Sequence, residues 1–296
     1  MALTSLDNLV STASAAQQYR IMWNKQIGTA AYTAGRWYDT SFLYGYPTSE
    51  TFPGTALTST LFTSTNNPGF MPTGGNVSPS QKTLTTIEAF AQNATSVPMW
   101  LLLVDQLMYY PQINLDTNLQ QTLINTVTLP RYTSGSGVMM YFNVTAGTTG
   151  ATATAIHPTG FNYTNSYGTN GRVIPGTVAF PASAIVPSIP HAQPASQNTM
   201  GPFLPLDAAD QGVQSVQNVQ FTVSCGTVCT VNLILCKPIA AVPISTVWVP
   251  QGRNFIFDMP YMPRIYDGAC LNFLLFSGVA VAASQQINAM MSFIWG

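Results

Sequence analysis

Charged side chains are the scarcest component of this 296-residue chain. Nine Lys and Arg and ten Asp and Glu make up 6% of it, where a typical globular domain has about 25%. The net charge is −1 and the cations are scattered, so we predict no direct nucleic-acid binding, which requires clustered Lys and Arg. Thr, Ser, Asn, Gln and Gly must hydrate the surface instead, and such a surface favours association with neighbouring proteins.

The residues from which most active sites are built are also few. Glu50 and Glu88 are the only Glu, and His157 and His191 are the only His, each in a loop bordered by proline. Motifs of the types G-x-S-x-G, G-x-x-x-x-G-K-[ST] and G-x-G-x-x-G do not occur. We therefore predict no catalytic residue, no cofactor and no metal site. A Ser-His-Asp triad, which forms in space rather than along the sequence, stays open.

Long apolar runs are missing too. The most apolar stretches, 97–104 and 270–283, are short or interrupted by Asn and Ser, whereas a transmembrane helix needs about 20 apolar residues. The first residues include Asp7 and lack a continuous apolar segment, so no secretory signal is predicted. We expect synthesis in a cytoplasm and no membrane association.

The four cysteines are Cys225, Cys229, Cys236 and Cys270. The alternating apolar residues of 219–235 predict a hairpin that pairs residue 225 with residue 229. In that register Cys225 and Cys229 could form a disulfide. Synthesis in a cytoplasm favours the alternative, in which the cysteines are free, buried thiols.

Three helices are predicted, the first two from apolar spacings of three and four. The first covers 3–23 and is either an arm that docks on a neighbour or the first helix of the core. The second covers 81–97 and ends before Pro98, because the residue before a proline leaves the helical region. The third covers 116–125, with Asp116 as its N-cap.

Strands are predicted elsewhere by aromatic and β-branched residues. The stretch 35–47 is typical of a strand followed by a turn, and 99–110 is apolar enough for a strand that is buried on both faces. A hairpin with a Gly-rich tip is predicted over 161–178.

These elements predict a mainly β fold with a few helices. Residues 136–247, with short alternating runs broken by Gly, Asn and Pro, are predicted to form an antiparallel, jelly-roll-like β-sandwich. The N-terminal segment, 1–135, and the C-terminal segment, 248–296, are predicted to flank this sandwich and to pack together.

Two near-copies of one pattern border the predicted sandwich: "LPRYTSGSG" at 129–137 and "MPRIYDGAC" at 262–270. We call them the first and second Pro-Arg corners. If Arg131 and Arg264 are buried there, each needs a carboxylate, because desolvating a lone cation is costly. A chance match of two short stretches is the alternative. The candidate partners are Asp39, Asp105, Asp116 and Asp267.

The chain resembles structural proteins of tailed-bacteriophage virions. The resemblance lies in the very low charge and the Thr-, Ser-, Ala- and Gly-rich β segments over most of the chain. Its clearest parts are "NKQIGTAAYTAGRWYD" (24–39), "PMWLLLVDQLMYYPQIN" (98–114) and "MMSFIWG" (290–296). It implies a virion location, a major capsid protein as partner, and a homo-oligomer, with a trimer favoured. It also makes Trp295, in the aromatic C-terminal stretch, an interface candidate.

Three functions follow from these observations. The first is a non-enzymatic decoration or cement protein that stabilises a capsid. The second is a jelly-roll major capsid subunit, although the charged long helix and extended loop of the common tailed-phage shell protein are missing. The third is a tail-associated adhesin that binds or cleaves glycans, in which Trp37, Trp100 or Trp248 would line an exposed groove beside a carboxylate.

Overall fold

The computed structural model describes residues 5–28, 30–64, 67–150, 154–157, 159–176, 178–180, 182–191, 201–258 and 261–296. It confirms a mainly β fold, in which every paired strand is antiparallel to its neighbour. Within these residues there is one α-helix, α1 (Leu6–Ser14), with Ser5 as its N-cap. Two short 3-10 turns cover Thr40–Phe42 and Ala94–Ser96.

The described residues form eighteen strands, β1 to β18 in chain order. Their bounds are Gln18–Gln26, Arg36–Asp39, Tyr44–Tyr46, Thr60–Leu61, Lys82–Ala91, Met99–Asn114, Gln121–Thr122, Met139–Ala146, Thr154–Ile156, Asn162–Asn165, Arg172–Val173, Val178–Phe180, Val213–Val219, Thr230–Ile244, Gln251–Asn254, Arg264–Ile265, Leu271–Ser277 and Gln286–Trp295.

Apart from the two-stranded β9–β12 pair, these strands form three sheets. The terminal sheet has the order β15-β5-β18-β1-β3, with β16 also on β5. The central sheet has the order β2-β17-β6-β14-β8, with β4 on β6, and the small sheet has the order β11-β10-β13-β7. Since β18 lies between β1 and β5, segments near both ends of the chain share one sheet, as the fold prediction expects.

Two apolar cores lie along the long central strands β6 and β14. The terminal core joins β1, β5 and β18 to the start of β6 and the end of β14, with Trp23, Leu101 and Met291 among its members. The distal core joins the small sheet and β8 to the other halves of the same two strands, with Tyr110 and Val216 among its members. The result is sandwich-like, and the central sheet contributes to both cores.

A third apolar cluster includes Phe52, Phe62 and Tyr109 and lies around loop residues beside the central sheet. The chain at 187–189 connects the two outermost strands of that sheet. Asp39 N of β2 donates to Pro187 O (3.0 Å), and Val144 N of β8 donates to Ser188 O (2.9 Å).

The three helix predictions are wrong in most of their length. Residues 6–14 are helical, but β1 begins at Gln18 after Ala16, whose φ is 57°, and residues 3 and 4 lie outside the described residues. Strand β5 occupies most of 81–97, because its Thr-rich sequence buries every second side chain over much of its length. Residues 116–125 contain only β7; Asp116 caps no helix, and its carboxylate accepts a hydrogen bond from the Ser224 hydroxyl.

Most of the strand predictions are confirmed. Strand β6 confirms the buried strand at 99–110 and continues to Asn114, and β2 and β3 lie within 35–47. The hairpin over 161–178 is confirmed for β10 and β11. The hairpin over 219–235 is wrong, since β13 ends at Val219 and pairs with β10 and β7, while β14 pairs with β6 and β8.

Candidate functional site

Arg131 of the first Pro-Arg corner is buried and ion-paired. Its Nε and Nη2 atoms donate to Asp105 Oδ2 (2.8 Å) and Oδ1 (2.7 Å), and Nη2 also reaches Gln106 O (3.2 Å). Asp105 is fully buried on β6 and also accepts from Cys270 N (2.9 Å), the last residue of the second corner. A single carboxylate therefore contacts both corners.

The environment of Asp105 acts on its acidity in two directions. Burial raises the pKa of the Asp105 carboxyl above its ordinary value, and the Arg131 guanidinium and the Cys270 N–H oppose that rise. Two parallel charge-assisted hydrogen bonds are the geometry that holds a carboxylate and a guanidinium ionised together. The pair is thus a structural clamp between β6 and the first corner.

Arg264 of the second corner is exposed. Its Cζ atom lies 4.3 Å from the centroid of the Tyr266 ring, and it forms no ion pair with any residue that the structure describes. Asp267, the next residue, accepts from Val77 N (3.0 Å) and Ser78 N (3.2 Å) and lies 3.8 Å from Lys82 Nζ.

The two corners meet in space. The Tyr132 and Tyr266 rings stand edge to face with their centroids 4.9 Å apart, and Lys237 Nζ lies 5.6 Å from the centroid of Tyr132. Tyr132 packs on the distal core, whereas Met262 packs on the terminal core. The corners therefore form one junction at the place where the two cores adjoin.

Asp39 is fully buried and does not pair with either arginine. Neutral groups surround its carboxylate, with Tyr141 Oη at 2.8 Å and Asn272 Nδ2 at 2.7 Å among them. Hydrogen bonds to it come from five residues: Ser41, Gln106, Tyr141, Asn143 and Asn272. Asp39 thereby connects β2, β17, β6 and β8 of the central sheet.

Lys25 and Glu50 are buried charges that the sequence analysis missed. Lys25 Nζ donates to the carbonyl oxygens of Leu43 (3.0 Å) and Pro47 (2.6 Å), and burial lowers the pKa of its amine to about 8. Glu50 accepts from Asn67 Nδ2 (3.0 Å) and from backbone N–H groups. A signal for Lys25 exists in the sequence, because it continues the alternation of buried residues along β1.

A further ion cluster lies on the distal side. Arg172 pairs with Asp207 (2.8 Å) and Asp210 (3.0 Å), and Tyr163 Oη donates to Asp210 Oδ2 (2.6 Å). Its three charged members are half-buried and mutually paired, and Tyr163 is fully buried, which is typical of a structural contact.

The remaining predicted site residues lie apart from the junction of the corners. Trp295 is half-buried on β18, opposite Lys82 of β5. Cys225 and Cys229 are free, buried thiols, as are the other two cysteines. Burial raises the pKa of the Cys229 thiol to about 12, so it is protonated at neutral pH and is a poor nucleophile.

The two histidines differ in burial. His191 is fully buried, with Nε2 3.0 Å from Pro202 O, and burial lowers the pKa of its imidazole to about 3. His157 is half-buried, with Nδ1 3.3 Å from the Thr159 hydroxyl. Among the described residues, no three His, Cys, Asp or Glu side chains are grouped as metal ligands, and no helix is long and apolar enough to cross a membrane.

Few charges reach the surface. All nineteen charged residues lie in the described ranges, and only six are exposed: Asp7, Arg20, Asp116, Arg253, Asp258 and Arg264. Another six are buried: Lys25, Asp39, Glu50, Lys82, Asp105 and Arg131. As many charged residues are therefore buried in internal contacts as are exposed to solvent.

The outer face of the terminal sheet is uncovered and largely neutral. Met22 of β1 is 67% exposed and lies opposite Met290 of β18. In the next row, Tyr46, which is 53% exposed, lies opposite Asn24. We define this outer face by Met22, Asn24, Tyr46, Glu88, Phe90, Asn288 and Met290, which occupy adjoining positions on β1, β3, β5 and β18. Glu88, opposite Met290, is its charged member, and Asn288 is buried within it.

No model of a known protein family matches the chain, and no curated protein is significantly similar to it in sequence. Function is therefore inferred from composition and geometry.

Proposed function

We propose that this protein is a non-enzymatic structural subunit of a bacteriophage particle, which binds the capsid as an oligomeric decoration or cement protein. In this proposal its partners are the major capsid protein and further copies of itself, with a trimer favoured. It is made in the host cytoplasm and resides in the virion.

The outer face of the terminal sheet is the observation that carries this proposal. Met22 is 67% exposed and Tyr46 is 53% exposed on a sheet face where Arg20 and Glu88 are the nearby charges. Met22 and Tyr46 lie in adjoining rows of this face, and exposed apolar side chains grouped in this way are typical of interfaces. A neutral interface also tolerates changes in ionic strength, because salt screens ion pairs and leaves apolar contacts intact.

A rigid body supports the same role. Strands β6 and β14 extend through both cores, and the buried Arg131–Asp105 pair fastens the first corner to β6. A subunit that resists mechanical load needs such continuity.

The proposal is tested by light scattering on the purified protein over a hundredfold range of concentration, at low and high salt. We expect a small oligomer whose mass is unchanged by salt. A closed shell would indicate the major capsid subunit instead, and a monomer under every condition would contradict self-association. Electron microscopy of the native particle, with the chain located in it, tests the capsid partner.

A matched pair of variants tests the face itself. Met22→Glu places a charge in the outer face, and we expect it to dissociate the oligomer. Val228→Glu introduces the same charge at a loop residue that is 84% exposed, and we expect it to leave the oligomer intact. Equal effects of the two variants would exclude the outer face as the interface.

A further inference from the structure

The junction of the two Pro-Arg corners contains a pocket of about 380 Å³. That volume lies in the range of small-molecule sites, about 300–1,000 Å³. Both corners contribute to its wall, together with the middle of β14. The lining residues are Tyr132, Lys237, Pro238, Ile239, Tyr261, Met262, Pro263, Arg264 and Tyr266.

Two cations in this wall lack a carboxylate partner. Neither Lys237 nor Arg264 forms an ion pair within the described ranges. Among the residues that the structure describes, Lys237 Nζ donates to Ser136 O alone (3.1 Å), which leaves two of the three N–H donors of an ammonium group for other acceptors. The nearby acids are already occupied, since Asp105 pairs with Arg131 and Asp267 caps the backbone at Val77.

The tyrosine pair holds both cations at the pocket. Lys237 lies over Tyr132, Arg264 lies over Tyr266, and the two rings contact each other edge to face. A guanidinium group stacked on a ring keeps its edge N–H groups free for a planar anion. Gly137 makes room for the amine, because a Cβ at that position would lie 2.0 Å from Lys237 Nζ.

We propose that this pocket binds a carboxylate-bearing group with a flat or apolar body. The carboxylate accepts hydrogen bonds from Lys237 and Arg264, and the body packs on Tyr261, Met262 and the tyrosine pair. Two sources have this chemistry: a free organic acid, and an acidic side chain of a neighbouring protein chain. The proposal does not rest on the proposed function, since it concerns recognition of a small group by one subunit.

The test follows the methyl resonance of Met262 by NMR in protein labelled at methionine methyl groups. Substitution of Met262 by Leu assigns the resonance, and exposed Met22 is the internal reference. Benzoate is the probe, and benzamide, which has the same ring and no charge, is its neutral control. We expect benzoate to shift Met262 with saturation while benzamide leaves it in place. Equal shifts by both probes, or no shift with benzoate, would overturn the proposal.

Three single variants test which side chains contribute to benzoate binding. Lys237→Gln and Arg264→Gln should each weaken benzoate binding about tenfold, the loss expected for one hydrogen bond to a charged group. Arg253→Gln removes an exposed guanidinium outside the pocket lining and should leave the affinity unchanged. If all three variants weakened benzoate binding equally, the loss would arise from the change in net charge of the protein, and the proposed site would be refuted.

A blocked tetrapeptide containing one Glu, with a Gln peptide as its control, distinguishes the two sources. Tighter binding of the Glu peptide than of benzoate indicates an acidic side chain, and the reverse indicates a free acid. Both results support recognition of a carboxylate.

Discussion

The two Pro-Arg corners have the same short pattern and opposite environments. Arg131 is 9% exposed and is held by two hydrogen bonds to Asp105, whereas Arg264 is exposed and stacks on Tyr266 without an ion partner. The difference arises from what lies beneath each corner. The first corner lies against β6, whose Asp105 is fully buried, while the second contains the two-residue strand β16, on which Arg264 is exposed. A short motif thus specifies a turn and the type of side chain it presents. The residues packed against the motif then decide whether the arginine forms a buried ion pair or stays free to bind another group.

The largest effect that separates the corners is expected from Arg131→Met. This change leaves Asp105 buried without its cation, and we expect it to lower the free energy of unfolding by about 3–5 kcal/mol. Denaturant unfolding at pH 7 measures it. The double variant with Asp105→Leu should be less destabilised than the sum of the two single variants, with a coupling of about 2 kcal/mol. Strict additivity would show that the pair is not a clamp.

Buried His191 makes the stability of the protein depend on pH. His191 has a pKa of about 3 in the folded protein, against about 6.5 in an unfolded chain. Below pH 6.5 the unfolded chain therefore binds a proton that the folded chain excludes, and stability falls as pH decreases toward 3, by about 1.4 kcal/mol per pH unit. Above pH 6.5 this contribution is constant.

Unfolding between pH 6.5 and 5 checks this prediction. The difference between the wild type and His191→Phe should follow that slope. A wild-type curve that runs parallel to the curve of His191→Phe over this pH range would contradict the assignment.

The smallest effect is expected at the second corner. Arg264→Met removes an exposed cation–π contact with Tyr266, and we expect a loss of less than about 1 kcal/mol in unfolding free energy. Thermal unfolding at matched concentration measures it. A loss as large as that of Arg131→Met would show that both corners are structural and would abolish the contrast.

The sequence predicted the local character of the strands better than their partners. The strand at 99–110 and the apolar alternation of Val231, Leu233 and Leu235 were recognisable, because burial on a pleated strand leaves a pattern in the sequence. The pairing of β14 with β6 was not, since a hairpin is the simplest partner for neighbouring strands and β6 lies more than a hundred residues away. The helix predicted over 81–97 failed for a related reason: Leu84, Ile87 and Ala91 fit helical spacing, and tertiary pairing with β18 decided in favour of a strand.

The candidate site was predictable only in part. Arg131 and Asp105 were both singled out by the scarcity of charge, and they do pair. Lys237 drew no attention because it lies in an apolar strand without a motif, and its significance comes from Tyr132, more than a hundred residues earlier. Asp39 was a candidate partner for arginine but is satisfied by neutral donors, which no sequence spacing reveals.

The short segment at 187–189 has a consequence for a protein with so little repulsion between copies. Unpaired outer strands invite strand addition by other chains, and like charges are one common defence against it. With few charges to deploy, this chain occupies backbone groups of β2 and β8 with its own Pro187 and Ser188. Those backbone groups of β2 and β8 are therefore not available to an added strand from another chain.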